Sequence, residues 1–126
     1  MMISPKKMLC GFTLTILLAA AGQSANAGSP PETIKGYVLD SACAFTKNLK
    51  KPISSDCAVA CAKAGSPLVI LADSGTIYWP ISDATPAQGQ NDRLMEFAGK
   101  RVAVTGKVYQ RAGSRAVVIA TIEAEK

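Results

Sequence analysis

The stretch RVAVTGKVY, from Arg101 to Tyr109, decides the fold. Val102, Val104, Gly106 and Val108 fall on one side of it, the two-residue period of a strand with one buried face. Arg111-Ala112-Gly113 then turns the chain, and RAVVIATI, Arg115 to Ile122, returns as the last strand. Upstream, DRLMEFA (Asp92 to Ala98) predicts a short helix with Leu94, Met95, Phe97 and Ala98 facing inward and Gly99 stopping it. A polar loop rich in Pro, Gly and Gln, Ser82 to Asn91, precedes that helix. Earlier still, PLVILA (Pro67 to Ala72) and TIYWP (Thr76 to Pro80) flank the turn Asp73-Ser74-Gly75 and predict a hairpin. Tyr78 and Trp79 are neighbours on a strand and so face opposite sides, one toward the core and the other toward a surface groove.

The first strand is TIKGYVL, Thr33 to Leu39, with Gly36 expected as a bulge or bend. Asp40-Ser41-Ala42-Cys43 leaves it, and Phe45 to Pro52 reads as a polar, lysine-bearing loop. Ser55 is the expected N-cap of a helix in which Asp56 favours the positive end and Cys57 to Ala64 are good helix formers. Gly65 fits the position after the helix, and Pro67 blocks continuation. Five strands, a short cysteine-bearing helix between the first two, and a second short helix before the fourth predict a mainly β fold: a small five-stranded OB-fold-like barrel.

The N-terminus has a different character. Lys6 and Lys7 precede the apolar run Met8 to Gly22, and small residues stand at Ala25 and Ala27. This three-part pattern predicts a signal peptide, residues 1–27, cut after Ala27. The run is about 15 residues, short of the roughly 20 that span a bilayer, so no membrane span is expected after cleavage. Residues 28–126 then form one domain, periplasmic or secreted. The formal charge of the whole chain is +5, and losing Lys6 and Lys7 leaves about +3. Export and this mild charge argue against a nucleic-acid partner. The chain has no histidine, which removes Ser-His-Asp and Cys-His catalysis, histidine-ligated zinc and CxxCH haem attachment.

GYVLDSAC, CAVACAKAGSPLVILADSGTIYW, FAGKRVAVTGKV and the closing VVIATIE resemble a group of small exported bacterial domains of unknown function. These share a strand ending in D-S-x-C, a later C-x-x-x-C helix and an A-G-K-x-V-x-V-x-G barrel strand. The resemblance implies an exported OB-like domain and brings no assigned catalytic activity. A more distant likeness is to periplasmic OB-fold proteins, some of which bind small ligands or copper, and whose His and Met copper ligands have no counterparts here.

Once Cys10 leaves with the leader, Cys43, Cys57 and Cys61 remain. An oxidising compartment favours pairing, and three thiols cannot all pair within one chain. Cys57 and Cys61 lie four apart, on one helix face. Cys43, just after the first strand, can fold back toward them. Three readings follow. One disulfide from Cys43 to Cys57 or Cys61 would stabilise the fold by roughly 3 kcal/mol in the chain-entropy model. Three thiolates would suit copper(I), or zinc with Asp40 or water as fourth ligand. Thiol-disulfide exchange is the third, with Cys43 switching between two partners. Asp40 and Ser41 are equally turn residues that bond nearby backbone N–H groups. The sequence therefore predicts a monomeric binding module rather than an enzyme, taking a soft metal ion or an envelope protein as partner.

Overall fold

A computed structural model describes residues 30–47 and 54–126; the expected leader (residues 1–27) and positions 48–52 of the expected lysine-bearing loop lie outside them. The strands are β1 (Glu32–Asp40), β2 (Leu68–Ala72), β3 (Ile77–Pro80), β4 (Arg101–Arg111) and β5 (Ser114–Ala124). They close into a barrel in the order β1-β2-β3-β5-β4, with β4 returning to β1. β3 and β5 pair in parallel and every other pair is antiparallel. The small five-stranded barrel expected from the strand pattern is present. Closure leaves no free sheet edge, so each strand satisfies its backbone groups on both sides.

The alternation read from the sequence separates two apolar layers. Ile34, Val38, Ile70, Tyr78, Val102, Val104, Val117 and Ile119 form the main core. Their chain neighbours Leu39, Val69 and Trp79 belong instead to a second cluster with Ala44, Tyr37, Leu71 and Ile77. Val38/Leu39, Val69/Ile70 and Tyr78/Trp79 are thus split between the two layers, as strand geometry requires.

Gly36 is not a bulge. It keeps unbroken register with Ala72 on β2 and Val102 on β4. A Cβ at this position would run into the Leu71 carbonyl, so the residue marks a close approach of two backbones. The register shift of the barrel falls opposite Thr105/Gly106: Thr105 faces Thr121 and Gly106 faces Ile119, so the extra residue is Ala120 in β5, where it bends that long strand.

Three helical segments decorate the barrel. The chain leaving β1 forms helix α1 (Ser41–Thr46), which takes in Phe45 and Thr46 from the start of the expected loop. Asp40 caps it by accepting the Cys43 N–H at 3.1 Å, and Thr46 Oγ1 donates to the Ala42 carbonyl at 2.7 Å. Helix α2 (Ser55–Lys63) is capped by Ser54, one residue before the expected Ser55, with Ser54 Oγ accepting from Cys57 N–H at 3.2 Å. It ends as expected at Gly65, φ 101°. There the Gly65 N–H donates to Ala62 O and the Ser66 N–H to Cys61 O, both at 3.0 Å, the paired bonds of a Schellman ending. Ala58 and Ala62 join the main core from this helix.

The helix expected over Asp92–Ala98 is instead α3 (Asn91–Leu94) followed by a 3-10 turn, Met95–Phe97. Leu94 and Ala98 are buried in the main core, with Met95 and Phe97 packed against it. Arg93 fastens the segment to β5 by donating to the carbonyls of Ile119 (2.7 Å) and Ala120 (3.1 Å).

Asn91 joins three elements. Its Oδ1 accepts from Leu68 N–H at 2.8 Å, and its Nδ2 donates to Ser66 O at 2.9 Å and Ala62 O at 3.4 Å. It therefore locks the end of α2 to the start of β2. Removing it orphans half-buried backbone groups, at about 1–3 kcal/mol. Asn91→Ala is expected to lower the urea midpoint with unchanged m-value. Leu94→Ala, which opens a void in the core, is expected to cost about 2–5 kcal/mol in the same melts.

Candidate functional site

β1 ends by carrying a carboxylate into the protein. Asp40 is 1% exposed and is the buried charged residue among those described. Its backbone stays in the β1–β2 ladder opposite Leu68, while the next residue, Ser41, donates its N–H to Pro67 O at 2.8 Å. Asp40 is thereby held between the start of α1 and the chain leaving α2. Its Oδ2 accepts from Cys43 N–H and, at 3.5 Å, from Ser66 Oγ. Its Oδ1 is buried and has no hydrogen-bond partner. Buried carboxylate oxygens are costly unless paired.

The cysteines are graded in exposure around this group. Cys43 is buried, Cys61 half-buried and Cys57 exposed, and none is bridged. The Cys43 thiol is pushed up to about 11, first by its hydrogen bond to Asp40, then by burial, then by the Asp40 charge. The Cys61 thiol is also raised, chiefly by burial and then by Asp40 and Cys57. Cys57 and Cys61 stand four residues apart, on consecutive turns of α2. The fields of Asp40, Cys43, Cys61 and Cys57 therefore overlap in one corner, between the end of β1 and α2. Among the described residues, no three Cys, Asp or Glu side chains stand ready around a common point for a metal ion.

Sequence reasoning named these four residues from spacing. It did not find Ser66 or Asn91, which hold α2 beside Asp40, because a lone Ser or Asn in a polar stretch carries no period. It also treated capping by Asp40 as an alternative to a site role. The carboxylate has two oxygens: Oδ2 caps α1, and Oδ1 remains.

Comparison of the chain with protein-family profiles, curated proteins and solved structures gave no match. Among the described residues, no helix is long and apolar enough to cross a membrane.

The dominant cause of the Cys43 shift is specific and removable. A thiol whose folded value is raised binds its proton more tightly in the native state. That contribution is present below the ordinary thiol value of 9.0 and is lost as pH rises through about 11. Asp40→Asn is expected to let Cys43 ionise at lower pH, read as the pH profile of alkylation followed by mass mapping. An unchanged Cys43 profile in that variant would separate the thiol from the carboxylate.

Proposed function

We propose that this protein is a small exported binding module, without catalytic activity of its own, whose Cys43, Cys57, Cys61 and Asp40 take up a soft metal ion. The observation that carries the reading is Asp40 Oδ1, buried and unpartnered beside the Cys43 thiol. A cation there would compensate the carboxylate and, by its charge, bring the neighbouring thiols to their ligating, ionised form. Copper(I) accepts the three sulfurs alone; zinc would use Asp40 as fourth ligand. The side chains must close together for either, since they do not converge unliganded. Binding releases thiol protons, so affinity rises with pH across the neutral range. The leader pattern and the resemblance to exported domains support a periplasmic or secreted location.

A second reading rests on Cys43 lying near Cys61, with Cys57 one turn away on α2: one disulfide from Cys43 to Cys57 or Cys61 and one spare thiol, used for stability, for exchange, or for joining an envelope partner. Thiol counting separates the two. Protein purified from the periplasm and alkylated under denaturing conditions is expected to show three free thiols and to take up one equivalent of copper(I) or zinc, retained through gel filtration. Cys61→Ser and Asp40→Asn are expected to weaken retention at least tenfold for zinc, and only Cys61→Ser for copper(I). One free thiol together with no metal uptake after anaerobic reduction would favour the disulfide.

A further inference from the structure

Away from the cysteine corner, the outer face of the barrel carries a row of three residues in register across three strands. Trp79 on β3 stands opposite Ala116 on β5, and Ala116 stands opposite Tyr109 on β4. The middle residue is the small one. Two aromatic side chains thus flank an alanine, and their backbones are separated by about twice the interstrand spacing, roughly 10 Å. That separation admits one ring between two ring faces. The result is a groove of about 220 Å³ lined by Trp79, Tyr109, Ala116, Ser114, Arg111 and Arg115. Tyr109 is 38% exposed. Trp79 also meets Phe45 of α1, ring centroids 6.1 Å apart and tilted by 31°.

The charge at this groove is uncompensated. The chain has nine Asp and Glu residues, and all nine lie in the described segments. The ion pairs they form use Lys35 and Arg101. Neither Arg111 nor Arg115 is paired to any carboxylate, and no acidic residue lines the groove. Two unpaired guanidinium forks at the β4–β5 turn, next to a slot for a single ring, are complementary to a ring that carries a carboxylate.

We infer that this groove binds an acidic sugar: a uronic acid residue of an oligosaccharide, its apolar C–H face stacked between Trp79 and Tyr109 and its carboxylate held by Arg111 and Arg115. A single-stranded nucleic acid, the other stacking ligand, uses successive aromatic platforms along a basic track. Here there is one slot, two arginines and a small net charge. The inference is independent of the cysteine site.

Trp79 is the only tryptophan in the chain, so its fluorescence reports on the groove directly. Titration of the folded protein with trigalacturonic acid is expected to give a saturable change in Trp79 emission, with maltotriose at least tenfold weaker. Arg111→Ala, at an exposed position, is expected to weaken binding about tenfold, equivalent to 1.4 kcal/mol. Ala116→Leu, which fills the slot and leaves the charge intact, is expected to abolish it, with circular dichroism verifying the fold of each variant. Cys43→Ser and Cys61→Ser are expected to bind as the wild type does, so failure of the metal reading leaves this result standing. No response at millimolar trigalacturonic acid, equal affinity for maltotriose, or no loss in folded Arg111→Ala would overturn the proposal. Tighter binding of a thymidine oligonucleotide, lost in the same variants, would replace it with nucleic-acid recognition.

Discussion

A carboxylate buried at the end of a strand is the constraint around which this molecule is arranged. Asp40 stays in the β1–β2 ladder through its backbone while its side chain turns into the protein. Burial of such a group is unfavourable unless the surroundings supply donors. The chain supplies them locally: α1 begins at once, so that the Cys43 N–H reaches Oδ2, and Ser66 adds a longer contact. The capping bond explains why a six-residue segment without apolar periodicity is helical at all. The oxygen left over, Oδ1, is what gives the corner a chemistry beyond capping.

Holding that corner requires α2 to sit in one place, and the fold secures it by means unrelated to the cysteines. Ala58 and Ala62 anchor α2 in the main core. The Schellman bonds at Gly65 and Ser66 end it sharply, and Asn91 fixes the exit to β2. Cys57 and Cys61 then occupy the face one step around the helix, more exposed than the alanines beside them. Elsewhere, Arg101 is forked to Asp73 and bonded to Glu125, which also meets Lys35. These surface pairs hold Asp73 and Glu125 below the usual carboxylate range, Asp73 through Arg101 and Glu125 chiefly through Lys35. Being largely solvated, they contribute little to stability.

Helix α1 links the two surfaces discussed above. Cys43 turns toward Asp40, while Phe45, two residues on, leaves its ring against Trp79. One side of the short helix thus belongs to the thiol corner and the other to the aromatic groove. Ala44, between them, is buried in the outer cluster with Leu39 and Val69, and seats the helix on the sheet.

Much of this was legible from residue order. Two-residue alternation in Val102–Val108 and in the Val38/Leu39 and Tyr78/Trp79 pairs determined five strands and the side each residue faces, because strand geometry is local. Ser-Ser-Asp before Cys57 and Gly65 after Ala64 bounded α2 to within a residue, because capping is local too. The same locality made Cys43, Cys57, Cys61 and Asp40 candidates together. Tertiary structure decided what locality cannot. It set the parallel closure of β3 on β5, which brings Trp79 into line with Ala116 and Tyr109 of the β4–β5 hairpin. It moved the bulge from Gly36, where two backbones simply meet, to Ala120 of β5, opposite Gly106. It made a helix of the residues after Asp40, reaching Phe45 and Thr46 of the expected loop, and it left one oxygen of that carboxylate with no partner. Each of these depends on which groups fold back to meet Asp40 or β5, and contacts between segments far apart in the chain leave no period in the sequence.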